Sequence, residues 1–490
     1  MAASLIFELN FATQGAQRPA EPGQPMRILV LGDFSGGAAA RPALGQRPAR
    51  RLDIDNFNAL MAQLAPSMSL ALEGATHTFQ FRELDDFHPD QLYLKSDAFA
   101  DLRGQRQRLK NPATFAAAAA QLRPADGVPP APSSPPAAQA SSGAAGGDNP
   151  FASLLGGVVG TAAAPAAAPI DQLVRKLVGA MPAGPDPRQA DYVAAVDAVI
   201  AERMNAVLHA PAFQALEAAW RGLHMLVTGL ELEESLQLHI LDATKAELRA
   251  DALALRRVLV EQPRSSADAA PWSLICGDYS FDGGEDDVRL LSVLGAVAAE
   301  ARAPFIGAAS ASLLGATSLA EQPDAADWAP ADAESSARWQ ALRASRQAAW
   351  LGLALPRVLL RLPYGKATDR VDQFDYEEAG PAHRHEDYLW GHASLACALL
   401  LGRAFQDSAW GMSASDVVDL GDLPAHTVRR DGEAHMQACA EAYLSERAGD
   451  AILRRGLMPL LSFRNRNAVR LLRSQSIATP PQALAGAWEY

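Results

Sequence analysis

Cysteine is scarce in this chain of 490 residues, and its scarcity excludes two ways of stabilising a fold. Cys276, Cys397 and Cys439 lie far apart and form neither a CxxC pair nor a zinc-ligand spacing. A disulfide framework and a cysteine metal site both need closely ordered sets of cysteines. We therefore predict neither.

Positive charge and long apolar runs are also in short supply. The formal net charge is −13, whereas general binding to nucleic acid or to an anionic membrane needs an excess of lysine and arginine. No uninterrupted apolar run approaches the roughly 20 residues that span a bilayer. The first residues, MAASLIFELN, lack the pattern of a secretory signal. We therefore expect a cytoplasmic protein with no nucleic-acid partner and no membrane insertion.

Recognisable catalytic motifs are missing as well. The loop 32–37 (GDFSGG) follows an apolar run, but it lacks the lysine of GxxxxGK[ST] and the spacing of GxGxxG. Adjacent carboxylates point in different directions, and no GxSxG elbow is present. The only histidine cluster is not HExxH on a helix; it consists of His383, His385, Glu386 and His392. We predict no catalytic, cofactor or metal site.

A change of composition divides the chain. Hydrophobic residues make up 49% of the sequence and charged residues 20%, which is typical of globular proteins, and the length suggests two or three domains. The segment 124–169 is rich in Pro, Ala, Gly and Ser, which bury little surface. We predict a flexible linker there, between a small N-terminal unit (1–123) and a larger C-terminal unit (170–490).

Hydrophobic periodicity predicts an α/β fold for both units. In the first, residues 27–34 (RILVLGDF) indicate a strand buried on both faces, 55–64 a helix, 68–81 a hairpin turning at Glu73-Gly74, and 97–122 a helical stretch interrupted near Pro112. In the second, helical stripes alternate with strand candidates. These strands are 236–241, 272–276, 304–308, 357–362 and 459–463.

Further helices complete the second unit. Thr244 and Glu247 form a capping box for a helix that reaches about Val260. Residues 286–301 and 339–353 are predicted helices. The alternation predicts an α/β domain with a mixed, largely buried sheet.

Strings of residues in both units resemble the contractile sheath proteins of the type VI secretion system. In the first unit LVLGDFSG, RPARRLDIDNFNALMAQLAP, FRELDDFHPDQL and LRGQRQRLKNP resemble the small subunit (TssB, or VipA) in the family's order. In the second, ERMNAVLHAPAFQALEAAWRGLHMLV, LICGDYSFDGGEDDVRLL, WQALRASRQAAWLGLALPRVLLRLPYG and YLWGHASLACALLLGRAF resemble the large subunit (TssC, or VipB).

The resemblance implies a structural role without catalysis. Its implied partners are other sheath subunits, an Hcp-like inner tube protein, baseplate proteins and a ClpV-like AAA+ ATPase. Two departures are visible: the family's subunits are normally separate chains, and its large subunit continues beyond the region matching PLLSFRNRNAVRLLRSQSIATPP. A non-polymerising accessory, such as a cap, baseplate adaptor or regulator, is therefore the alternative to a sheath subunit. A hydrolase or metalloenzyme on the same fold, with the histidine cluster as its only support, is a further alternative.

Three groups of residues are candidates for assembly contacts. The alternation of residues 5–11 (LIFELNF) indicates a strand exchanged between protomers, or an edge strand of its own domain; its apolar residues are Leu5, Ile6, Phe7, Leu9 and Phe11. The resemblance implies an ATPase-binding helix near 170–181, with Ile170, Leu173, Val174, Leu177 and Val178 on one face. Arg47, Arg50 and Arg51 are candidate interface charges, or parts of a solvated basic face.

Overall fold

The computed structural model describes residues 23–36, 41–122, 189–265, 270–330, 332–380, 383–430 and 433–488. In chain order its strands are β1 Met26–Gly32, β2 Arg50–Leu52, β3 Ser67–Leu72, β4 Ala75–Gln80, β5 Leu236–Asp242, β6 Leu274–Phe281, β7 Phe305–Ala309, β8 Leu351–Leu355, β9 Val358–Arg361, β10 Leu389–Gly391, β11 Asp419–Leu420, β12 Thr427–Arg430, β13 Glu433–Met436, β14 Met458–Ser462 and β15 Val469–Leu471.

The described α-helices surround these strands. They are α1 Phe57–Leu64, α2 Pro89–Lys95, α3 Ala100–Lys110, α4 Pro112–Gln121, α5 Gln189–Leu208, α6 Pro211–Gly229, α7 Lys245–Ala250, α8 Ala252–Arg256, α9 Gln262–Ser265, α10 Glu285–Ala301, α11 Ala333–Arg343, α12 Ala393–Ser408 and α13 Glu446–Arg454. None of the described helices combines the length and apolar character needed to cross a membrane.

One nine-stranded sheet organises the molecule, in the order β11-β15-β14-β8-β7-β6-β1-β5-β2. The six strands from β14 to β5 are parallel, whereas β2 at one edge and β15 at the other pair antiparallel to their neighbours. Among the five parallel strands from β5 to β8, the first in the chain lies second in space, which is the 2-1-3-4-5 order of doubly wound α/β proteins. The predicted α/β fold with a mixed sheet is confirmed.

Strand β1 comes from the N-terminal unit but lies in the middle of this sheet. It pairs with β5 on one side and with β6 on the other, so that Val30 faces Ile240 and Cys276. Ile28 and Val30 point into one hydrophobic core, and the intervening Leu29 and Leu31 point into the other. All four side chains are fully buried. This explains the continuous apolar run in the sequence, because a strand covered on both faces has no polar side.

Two layers of helices cover the sheet. The core on one face contains side chains from the N-terminal helices, the β3–β4 hairpin and helices α5, α6 and α12. The core on the other face contains side chains from α7, α8, α10, α11 and α13. The N-terminal residues beyond β2 therefore pack on the same face as α5 and α6.

The β3–β4 hairpin turns where the sequence predicts it. Its two central residues, Glu73 and Gly74, have φ angles of 50° and 86°. Positive φ at both positions is the type I′ geometry, which matches the twist of the two strands. Met68, Leu72 and Phe79 are buried beneath the hairpin, as the alternation indicates.

Two predicted helices are wrong in extent. The helix predicted over 339–353 ends at Arg343, and Leu351–Leu355 forms the fully buried strand β8. A short apolar run such as LGLAL fits a buried strand or a buried helix equally well by periodicity. The helix begun by Thr244 stops at Ala250, because the Asp251 carboxylate accepts the amide hydrogen of Ala254 (2.8 Å) and begins a new helix.

Candidate assembly site: the junction of the two units

The side chain of Trp220 on helix α6 anchors the N-terminal unit. It is fully buried, and its indole Nε1–H donates to the main-chain oxygen of Phe34 (2.9 Å). Its ring meets Phe34 and Phe57 edge to face, with centroids 6.0 and 5.6 Å apart. A buried aromatic with a satisfied polar tip contributes strongly to packing. Trp220 therefore couples the end of β1 to the start of α1.

Beyond β1 the chain is held by Asp242 at the end of β5. The Asp242 carboxylate accepts the amide hydrogens of Phe34 (2.8 Å) and Ser35 (3.1 Å) and the Ser35 hydroxyl (2.8 Å). Arg41 is paired with Asp33 and lies 3.3 Å from Asp242. The loop 32–36 is thus held in place by a carboxylate of the C-terminal unit.

Arg47 also lies at the end of β5, and its side chain is largely buried. Its guanidinium donates to the Asp242 carbonyl (2.8 Å) and to the Glu247 carboxylate (3.0 Å), and its side chain is 8% exposed. The hydrogen bond from Arg47 outweighs the effect of burial and lowers the pKa of Glu247 to about 2. Arg47 therefore contacts the C-terminal unit of its own chain, and its burial leaves little of it for a neighbouring molecule.

The position of these arginines identifies them as structural residues. Doubly wound sheets bind ligands in the crevice outside the carboxyl ends of their strands, where the strand order reverses. Here the order reverses between β1 and β6. Arg41 and Arg47 lie instead at the carboxyl ends of β1 and β5, where they pair with Asp33, Asp242 and Glu247. These ion pairs therefore support a structural junction of the two units beside that crevice.

The other sequence-derived candidates fall in different places. Arg50 donates to the Gln63 side chain (3.0 Å), and the exposed Arg51 donates to the Glu233 carbonyl (3.2 Å); both are on edge strand β2. They stay predicted interface charges. The segments 5–11 and 170–181 lie outside the described residues, so the exchanged strand and the ATPase-binding helix stay predictions.

Helix α5 makes further charged contacts with the N-terminal unit. Asp197 pairs with Arg106 of α3, with an Nη2–Oδ2 distance of 3.0 Å. Arg203 reaches the Glu73 carboxylate (2.7 Å) and donates to the Ala98 carbonyl (2.6 Å). This pair was missed from the sequence, because 91 residues separate Arg106 from Asp197.

The most deeply buried charges lie where helix α6 meets strand β9. Arg361 donates to Glu217 (2.8 and 3.2 Å) and to Glu378 (2.6 and 3.0 Å), and all three residues are buried. Arg221 also donates to Glu217 (2.7 Å), and the Tyr364 amide donates to Glu378 (2.8 Å). This network was missed from the sequence. Its only signal is a charge, Glu217, at a core position between Phe213 and Trp220 on the apolar face of α6.

The loop that follows β9 and carries Tyr364 and Glu378 also contacts the N-terminal unit. The Asp90 carboxylate accepts the amide hydrogens of Asp372 (3.1 Å) and Gln373 (3.0 Å). The His88 ring meets the Tyr364 ring edge to face at 4.9 Å. The buried ion pairs of Arg361 therefore hold in place the loop that the N-terminal unit contacts.

Acid is expected to destabilise the protein partly through Glu378. Burial by itself raises the pKa of Glu378, but the charge of Arg361 and the hydrogen bonds outweigh it and lower the pKa to about 2, from 4.5 in a model peptide. A lowered folded-state pKa contributes stability that is fully present above about pH 4.5 and is lost as pH falls through about 2. Denaturant unfolding between pH 6 and pH 2.5 measures this loss of stability. Glu378→Gln should reduce the fall of the unfolding free energy with falling pH, whereas Glu377→Gln, at the exposed neighbouring residue, should retain it. An equal pH dependence in the two variants would contradict the role assigned to Glu378.

The histidine cluster of the sequence is dispersed in the structure. His392 Nδ1 lies 2.7 Å from Asp278, His385 Nε2 lies 3.2 Å from Glu441, and the His383 ring meets the His426 ring. Within the described ranges no group of three or more His, Cys, Asp or Glu is placed to hold a metal ion. The three cysteines are buried.

Comparisons with known proteins agree with this two-part construction. Residues 190–478 match the family described as EvpB/VC_A0108, tail sheath N-terminal domain, and residues 6–124 match the family described as Type VI secretion system, VipA, VC_A0107 or Hcp2. A curated relative, the type VI secretion system sheath protein TssC1 of Pseudomonas aeruginosa, is 33% identical over 305 residues. The match covers 59% of this chain and 61% of the relative, so the chain spans about three fifths of its length.

The fold and the matches define a structural sheath protein. More specifically, the chain belongs to the type VI secretion system sheath family and carries a VipA part and a VipB part in one polypeptide. The resemblance read from the sequence is confirmed. These families consist of structural sheath proteins.

Proposed function

We propose that the chain serves as a preassembled building block of a contractile sheath, in which the small and large subunits are joined covalently. The observation that carries the proposal is β1 of the VipA part, which lies between β5 and β6 of the VipB part. A central strand cannot leave without opening the sheet. Tethering also raises the effective concentration of each part for the other toward the millimolar range.

The building block would act without catalysis and in the cytoplasm. The matches to families of structural sheath proteins support a role without catalysis. Its partners would be further copies of the chain, an Hcp-like inner tube, baseplate proteins and a ClpV-like ATPase that engages residues 170–181. Neighbouring copies would interlock through the strand 5–11, because strand exchange preserves backbone hydrogen bonds while rigid domains slide.

Electron microscopy of the purified full chain tests this assembly. We expect tubes or rings in negative stain and a matching rise in light scattering, with and without a co-expressed tube protein. Replacing Phe7 and Leu9 together by Asp should abolish them, because two charges on the apolar face oppose strand pairing. The matched variant Glu8→Gln changes the opposite face and should assemble.

The thermal unfolding midpoint shows whether each variant is folded. A folded full chain that stays monomeric under all these conditions would contradict the sheath subunit. It would instead support an accessory that binds one end of the sheath.

A further inference from the structure

A hairpin tip of concentrated positive charge stands out on a chain with a net charge of −13. The turn between β14 and β15 has the sequence FRNRN (463–467), in which Arg464 and Arg466 are exposed, and the exposed Arg470 and Arg473 follow. No Asp or Glu occurs anywhere from 462 to 474. We call residues 463–470 the basic tip.

Aromatic rings hold the basic tip in a defined shape. The guanidinium groups of Arg466 and Arg470 lie over the Phe463 ring, 4.6 and 5.2 Å from its centroid. Arg464 lies over the Tyr443 ring at 5.5 Å. Stacking of this kind orders long side chains that would otherwise move freely in solvent. Asp419 pairs with Arg470 (2.6 Å), so Arg464 and Arg466 are the charges left to face outward.

A groove with the opposite character lies beside the other edge of the sheet. Its volume is about 210 Å³, and some of the residues that line it come directly after edge strand β2 in the chain. Its lining includes Ile54, Phe57 and Leu84 with the carboxylates of Glu83 and Asp85. Ile54 is 56% exposed, which is unusual for a large apolar side chain. We call this the acidic groove.

The charges around the acidic groove favour a basic ligand. Within the part of the chain that the structure describes, the exposed Asp85 and the adjacent Asp55 have no ion-pair partner, whereas Glu83 has Lys95 at 3.8 Å. Arg82 is the exposed cation next to Glu83. Burial and the charge of Arg221 lower the pKa of His224, which also lines the groove, so this imidazole adds no positive charge near neutral pH.

We propose that the basic tip of one copy docks into the acidic groove of a second copy. Guanidinium groups match carboxylates in planar pairs, and the Phe463 ring would meet the exposed Ile54. The two surfaces lie at opposite edges of one sheet. Such a contact is head-to-tail, so its repetition builds a ring or an open chain of copies. The inference deepens the proposed sheath function by assigning one of its contacts.

Disulfide trapping tests this contact directly in the full chain. Asn58 in the groove and Asn465 in the tip are exposed, and the native cysteines are buried, so introduced thiols are the reactive ones. Mixing Asn58→Cys with Asn465→Cys under mild oxidation should give a cross-linked dimer, at least about tenfold more than either variant alone, because only close thiols are bridged. A chain with both changes should give a ladder of multimers.

Charge reversal tests the recognition itself. Changing Arg464 and Arg466 to Glu in the Asn465→Cys chain should slow trapping about tenfold at low salt. Changing Asp55 and Asp85 to Arg in the Asn58→Cys partner should restore the rate to within about twofold. Arg289→Glu changes an exposed side chain on α10, so it serves as the control and should leave the rate unchanged.

The outcomes separate this contact from the sheath function. A missing Asn58–Asn465 product overturns the contact whether or not tubes form. Tubes without that product leave the sheath function standing on other contacts. The multimer ladder without tubes supports the contact and counts against the sheath function.

Discussion

Cutting the chain within 124–169 is expected to leave two pieces that remain bound to each other. Strand β1 takes its hydrogen bonds from both β5 and β6, and Ile28, Leu29, Val30 and Leu31 are fully buried. Burying side chains of this kind contributes roughly 1.5–3 kcal/mol each, so four of them supply about 6 kcal/mol or more. A protease site inserted near residue 142 and size-exclusion chromatography of the cut protein measure the result, which should be one peak containing both pieces.

The matched variants for this experiment lie within β1. Val30→Asp places a charge at the centre of the sheet, where neither face is solvated, and should prevent folding of the intact chain. Val30→Ala keeps the strand but removes two methyl groups, so the cut pieces should bind more weakly yet still co-elute. If the cut wild-type pieces separate in native buffer, β1 is not the central strand of a shared sheet.

Arg361→Met is expected to lower the free energy of unfolding by about 3–5 kcal/mol. Methionine keeps most of the volume but removes the cation that both Glu217 and Glu378 contact within 3.2 Å. Two carboxylates would then be buried with a greatly reduced set of partners. Urea unfolding at pH 7, followed by tryptophan fluorescence, measures the change.

A surface pair supplies the control for this substitution. Arg370 and Asp372 lie 3.4 Å apart, but each is 73% exposed. Exposed pairs contribute about 0–1 kcal/mol, so Arg370→Met should change the free energy of unfolding little. Equal losses for the two variants would contradict the role assigned to Arg361. Glu217→Gln should destabilise too, and its effect should not add to that of Arg361→Met, because the two residues share one network.

The sequence predicted several main strands and helices correctly but did not predict β2, β10–β13 and β15 or helices α2, α12 and α13. Continuous apolar runs identified β1, β5 and β7, and the Glu73-Gly74 turn identified the β3–β4 hairpin. These features depend on neighbouring residues, whose periodicity and turn chemistry are visible in one stretch of chain. Strand β8 was missed, because its five apolar residues carry no period and follow a genuine helix without a strong stop signal.

Charged contacts could not be predicted in the same way. Arg47 was a plausible surface arginine in a sequence rich in arginine, yet it bonds Glu247, 200 residues away. Arg361 and Glu217 are 144 residues apart, and Arg106 and Asp197 are 91 apart. No local pattern joins such residues. Only a charge at an apolar helix position, as for Glu217, marks that a distant partner must exist.

The sequence by itself determined the α/β class, strand β1 and the β3–β4 hairpin of the N-terminal unit, and membership of the sheath family, because all of these are written in contiguous strings of residues. Only the tertiary structure decided that β1 of one unit completes the sheet of the other and that Arg41 and Arg47 pair with Asp242 and Glu247 of the C-terminal unit. The physical reason is that sheet order and ion pairing are set by which buried surfaces fit together. That fit depends on the whole chain at once.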